Sequence, residues 1–168
     1  MAMILTGKIS EQGFEQDYVP NTEYFYSVSG KEIKAPSTIV WCNDCQKLCD
    51  GELLPSLAAI NDRMERFRSG ALDEVLGLDG VKRNSEISEM ELLRNLRKAR
   101  KSEAKCLVCG GSSITEVDEP EGYSPEYPPI KLTVKYMNGE HQLLIYISGH
   151  ANLKSMGKVV LNEEGQIA

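Results

Sequence analysis

The sequence is poor in the groups that most often carry enzyme chemistry. Histidine occurs only twice, as His141 and His150, and neither has a second ligand or a base partner at a recognisable spacing. The zinc-protease HExxH pattern, the lysine-bearing phosphate loop and glycine-flanked nucleophiles are all missing. No apolar run approaches the ~18 residues needed to span a bilayer. The opening Met-Ala-Met-Ile-Leu has no basic segment before its short apolar run, and the final Gly-Gln-Ile-Ala matches no lipidation signal. Basic charge is in the minority: the formal net charge is −6, which disfavours indiscriminate attachment to nucleic acid or anionic membranes. From these absences we expect a cytoplasmic, non-catalytic protein with no membrane role and no evident small-molecule substrate.

What is present is cysteine in a pattern. Four of the five cysteines form two pairs, Cys42-Asn-Asp-Cys45 and Cys106-Leu-Val-Cys109-Gly110. Two thiolates at that spacing grip one ion from a tight turn, and two such turns complete the sulfur tetrahedron that structural zinc accepts. Gly110 suits the positive φ that such a turn needs after its second cysteine. Four ligands close the shell, leaving no position for a reactive water, so the site reads as one structural Zn2+ rather than a catalytic one. Iron also accepts four sulfurs. A disulfide-exchange role would need a low-pKa thiol at a helix N-terminus, whereas Cys106 is expected at a helix C-terminus, where the dipole raises a thiol pKa. Cys49 extends the first pair to Cys42-x2-Cys45-x3-Cys49. It is read as a free thiol near the site, with replacement of a ligand or binding of a second ion as the alternatives.

Sixty residues separate Cys45 from Cys106, where about 15–20 would be usual. Two doublings of loop length add only about 1.2 kcal/mol of closure entropy. Structural zinc contributes on the order of 10–16 kcal/mol in small domains, so the spacing is affordable if the insertion folds back on itself.

The insertion, residues 53–105, reads as a helical hairpin. Leu53, Leu57, Ile60, Met64 and Phe67 recur at alternating steps of four and three, a one-faced stripe that starts near Pro55 and stops at Gly70. Residues 78–84 read as a loop. A second long helix is expected from Ser85 or Ser88, where Ser88 and Glu91 make a capping-box pattern, to Lys105. Leu92, Leu96 and Ala99 would form its apolar face. Arg94, Arg97, Lys98, Lys101 and Lys105 would share the opposite face within an arc of about 100°.

Elsewhere the pattern is β. Thr22–Val28 is aromatic and β-branched with a Ser29-Gly30 turn after it, and Thr38–Trp41 runs as a strand into Cys42. Residues 118–129, acidic and proline-rich, read as a linker or surface loop. Beyond it Ile130, Leu132, Val134 and Tyr136 alternate with polar residues before Asn138-Gly139, a strong hairpin signal. Leu143–Ile147 is apolar on both faces and so central, and Lys158–Leu161 suggests an edge hairpin. The expected fold is α+β. Residues 1–117 form a metal-stabilised β portion carrying the insertion, and residues 130–168 form a β-hairpin region packed with it as one domain.

CNDC, CLVCG and the strand entering the first knuckle resemble zinc-ribbon proteins. The long insertion departs from the simple ribbon, and the first knuckle lacks the glycine after its second cysteine. Zinc ribbons occur in transcription, translation and protein-interaction adaptors, so the resemblance implies binding rather than catalysis. The leading expectation is an adaptor with a protein partner. The alternative is a nucleic-acid-binding ribbon using the basic face of residues 94–105, with Tyr24, Phe25 or Trp41 stacking on bases.

Overall fold

The computed structural model describes residues 2–118 and 128–168; most of the expected linker therefore lies outside the described residues. In chain order the elements are β1 (Ala2–Ile9), β2 (Phe14–Tyr18), β3 (Thr22–Val28), β4 (Lys31–Lys34), β5 (Ser37–Cys42), β6 (Lys47–Glu52), α1 (Leu57–Arg68), α2 (Asp73–Leu76), α3 (Gly80–Ala99), β7 (Ile114–Glu116), β8 (Ile130–Tyr136), β9 (Gly139–Ala151) and β10 (Gly157–Leu161). They make an α+β fold of three sheets, ordered β2-β1-β9-β8, β10-β3-β4 and β6-β5-β7. The C-terminal strands are shared out: β9 pairs antiparallel with β1, and β10 pairs parallel with β3.

Two apolar clusters do most of the packing. In one, Tyr24, Tyr26 and Ile33 of the β10-β3-β4 sheet meet Ile60 and Met64 of α1 and Leu93 and Leu96 of α3. In the other, Leu5, Ile9, Leu143 and Ile145 of the four-stranded sheet meet Trp41 and Leu48 of the β6-β5-β7 sheet. The Trp41 indole N–H donates to the Lys135 carbonyl at 3.3 Å, satisfying the one polar atom of a fully buried ring. Gly7 lets these two sheets close: a Cβ there would come within 2.8 Å of Leu48.

The helical hairpin is present, since α1 and α3 pack together, but its ends differ from the sequence reading. Ser56 caps α1, its side chain accepting from the Ala59 N–H at 3.1 Å. Ile60, Met64 and Phe67 are buried, whereas Leu53 and Leu57 are each 37% exposed, because Leu53 precedes the helix and Leu57 lies in its unpacked first turn. α3 begins at Gly80, inside the expected loop, because Asp79 caps it by accepting from the Lys82 N–H at 2.8 Å. Ser88 and Glu91 are therefore interior. Its buried face is Leu93 and Leu96, with Ala99 exposed.

α3 also ends early, at Ala99, because Arg100 turns to φ −68 and ψ 132. Its guanidinium pairs with the Glu52 carboxylate, and neither side chain is exposed at all. The β8–β9 turn is Met137 and Asn138, with Tyr136 opposite Gly139, one residue earlier than the Asn-Gly signal implied. β10 joins β3 in parallel on one side, and on the other the chain turns back at Gly165 to bridge Leu161 and Ile167 antiparallel, the edge hairpin the sequence suggested. β6, unforeseen in the sequence, pairs with β5 along its whole length.

Candidate metal centre

β5 and β6 carry the first knuckle between them, and the second knuckle leads through a short turn into β7 on the other edge of β5. Both turns are built alike. The Gln46 N–H donates to the Cys42 carbonyl at 2.8 Å, and the Gly110 N–H to the Cys106 carbonyl at 2.9 Å. Gln46 takes φ 53 and Gly110 φ 75, so the glycine missing from the first knuckle is replaced by a glutamine held in the left-handed region. Backbone N–H groups point at sulfur: Cys45 N lies 3.4 Å from Cys42 Sγ, and Gly111 N 3.4 Å from Cys109 Sγ. Asn43 ties the turns together, its N–H donating to the Ser113 carbonyl and its side-chain amide to Ser113 Oγ at 3.0 Å.

The four sulfurs of Cys42, Cys45, Cys106 and Cys109 all lie within 4.8 Å of one another. Cys42 and Cys109 are 3.6 Å apart, and Cys45 and Cys106 are 3.9 Å apart. A tetrahedral ion with metal–sulfur bonds of about 2.3 Å requires edges of about 3.8 Å. The donor set thus fits one metal ion of the kind that accepts four thiolates. Cys42 and Cys106 are fully buried while Cys109 is exposed, so the centre sits at the protein surface with one open flank.

The 60-residue spacing is resolved by direct pairing of the insertion's two ends. The Glu52 N–H donates to the Lys105 carbonyl at 2.8 Å, the Leu107 N–H donates to the Asp50 carbonyl at 2.9 Å, and Gly51 bridges Cys106. The Glu52 carboxylate adds a bond from the Lys105 N–H at 3.1 Å, besides its pair with Arg100 and a contact from the Tyr26 hydroxyl. Arg100 in turn donates to the Glu103 carbonyl at 3.1 Å and to Ser102. A single buried ion pair thereby holds the segment that delivers Cys106.

Cys49, on β6, is buried with its sulfur 3.4 Å from Cys106 Sγ. It stands outside the four-sulfur group but touches one of its members. Hydrogen bonding to Cys106, then burial, holds the Cys49 thiol well above the usual range. Cys106 is pulled down to about 4, chiefly by the Cys49 thiol. This reverses the sequence expectation for Cys106: six residues separate it from the last helical residue, so no helix dipole acts on it. Full burial still keeps it from exchange partners.

The basic face does not form one helical stripe. Arg94, Arg97 and Lys98 are on α3, while Lys101 and Lys105 lie beyond its end. Arg97 is held by a bond from Nε to the Pro55 carbonyl at 3.2 Å, and Arg94 is half-buried. Trp41 and Tyr24 are buried and offer no ring face to a base. His141 is half-buried on β9, 3.6 Å from Glu11, and His150 lies near the end of the same strand. Among the described residues no helix is long and apolar enough to cross a membrane. Compared with family models, curated proteins and solved structures, the chain matches none of them.

Proposed function

We propose that this chain is a zinc-stabilised, non-catalytic binding module of the zinc-ribbon type, acting on a protein partner. The observation that carries the reading is the four-sulfur group, whose members would fill every position around a tetrahedral ion. The three-stranded β6-β5-β7 sheet rising from the two knuckles supports the ribbon comparison. Zinc is favoured over iron because the site needs only to hold two turns together, a role zinc fills without redox chemistry.

Metal analysis of protein purified without added metal tests this. About one zinc per chain is expected, retained in Cys49→Ser and lost with much of the stability in Cys42→Ser or Cys109→Ser. Iron with visible thiolate absorption, or a metal-free chain with the same melting curve, would overturn it. Fluorescence anisotropy with duplex and single-stranded probes at two salt concentrations tests the partner class. No binding above the weak non-specific range is expected. Tight, salt-sensitive binding lost on replacing Lys98 and Lys101 would instead assign the chain to nucleic acid.

A further inference from the structure

The β10-β3-β4 sheet stops one strand short of covering the helices beneath it. β4 is its edge, with no second neighbour among the described residues. The Ala35 N–H donates to the Tyr24 carbonyl at 2.8 Å, and Ile33 stands opposite Tyr26. By antiparallel alternation Ile33 and Ala35 spend their backbone groups on β3, while those of Glu32 and Lys34 face outward.

Alongside that edge lies an open groove of about 820 Å³ between β4, α1 and α3. Its floor is apolar, from Ile33, Ala35, Ile60, Met90 and Leu93. A second hollow of about 300 Å³ continues along β4 and shares Ile33 and Glu89 with the first. On the α3 wall stand Glu86 and Glu89, one helical turn apart. Among the described residues neither forms an ion pair. Burial, then the charge of Glu86, holds the Glu89 carboxyl above its usual range. Lys34, Arg63 and Arg66 also line this groove, but none of them pairs with Glu86 or Glu89, so the two carboxylates are open to a cation from a partner.

We propose that this groove accepts an extended segment of a partner protein as a fourth strand on β4. An apolar side chain of the segment rests on Ile60, Met90 and Leu93, and a lysine or arginine two residues along meets Glu86 and Glu89. Side chains two residues apart share a face of a strand, so one short segment reaches both features. Backbone bonds to Glu32 and Lys34 supply sequence-tolerant affinity, and the two side-chain positions supply selectivity. The inference rests on the binding-module reading and gives its partner a chemistry.

The probe is a displayed library of random ten-residue peptides, selected on the metal-loaded full chain, with enriched peptides resynthesised for titration. Enriched sequences are expected to carry an apolar residue and a lysine or arginine two positions apart. Lys34→Pro removes an outward N–H that the sheet does not use, a change that edge strands tolerate, and should weaken these peptides about tenfold or more. Glu86→Lys with Glu89→Lys, both at the groove wall, should switch the preferred charge to acidic without Lys34→Pro needing to fold. The proposal is overturned by absence of enrichment, by enriched peptides lacking the pattern, or by unchanged binding to both variants. It is equally overturned if sedimentation shows the chain dimerising through β4. Peptides that bind elsewhere would defeat the groove and leave the binding-module reading intact; an open metal coordination position would defeat that reading alone.

Discussion

Glu52 and Arg100 meet with no solvent access, 48 residues apart in sequence, at the point where the helical insertion leaves and rejoins the metal-bearing sheet. Glu52 stands at the end of β6 and Arg100 at the end of α3. The pair is therefore a latch that sets where the helix stops and where Cys106 arrives. Breaking one side strands a buried charge. Arg100→Ala is expected to cost about 3–5 kcal/mol in denaturant unfolding. Arg100→Lys should recover only part, since an ammonium cannot match the carboxylate bidentately. A cost below about 1 kcal/mol, as for an exposed pair, would remove the latch.

Gln46 offers a change in the other direction. Its φ of 53 is strained for any residue with a Cβ. Left-handed backbone costs roughly 1–2 kcal/mol for an ordinary L-residue, while glycine adds roughly 0.5–1 kcal/mol of chain entropy to be lost on folding. Gln46→Gly should thus raise stability by up to about 1.5 kcal/mol with metal content unchanged, read as a small rise in melting temperature. Loss of metal in this variant would show that the glutamine side chain itself is needed.

The hairpin packing is tested by a matched pair. Ile60 is 2% exposed in the helix–sheet core, and Arg66 is exposed on the same helix. Ile60→Asp buries an unpaired carboxylate and should cost several kcal/mol. Arg66→Ala should be nearly silent. Equal effects in thermal melts would mean that α1 does not pack through this stripe.

Glu89 gives a pH signature. Its folded-state pKa is raised, by burial first and by Glu86 second. The fold therefore favours the protonated form. Its contribution is fully present below the ordinary glutamate range and is lost as pH rises through the folded pKa. Glu89→Gln should melt higher than the wild type at neutral pH, and the two should converge in acid. A difference that is the same at both pH values would show that the charge plays no part.

Local chemistry was legible where local chemistry decides. β3 follows its aromatic, β-branched alternation residue for residue, and the two CxxC turns declare their sulfurs by spacing alone. The helical stripe of Ile60, Met64 and Phe67 is a property of one segment and was readable as such. The ends of α3 were not. Asp79 competes with Ser85 and Ser88 as a cap on equal local terms, and Arg100 leaves the helix for a partner 48 residues away. β6 was hidden because Asp50 and Gly51 are poor strand formers. In the structure Asp50 accepts bonds from the Tyr18 and Tyr24 hydroxyls, and Gly51 packs against Val40. The contact of Cys49 with Cys106 depends on the same distant closure.

The pairing of β1 with β9 has a consequence for synthesis. Ala2 stands opposite Ala151, 149 residues later in the chain, and the first strand's inner edge waits for that partner to be made. Chains grow at about 5–20 residues per second, so that edge stays open for on the order of ten seconds. During this interval the nascent chain carries an apolar, unpaired strand with only β2 beside it. An edge open for that long is a template on which another strand can pair before the fold closes.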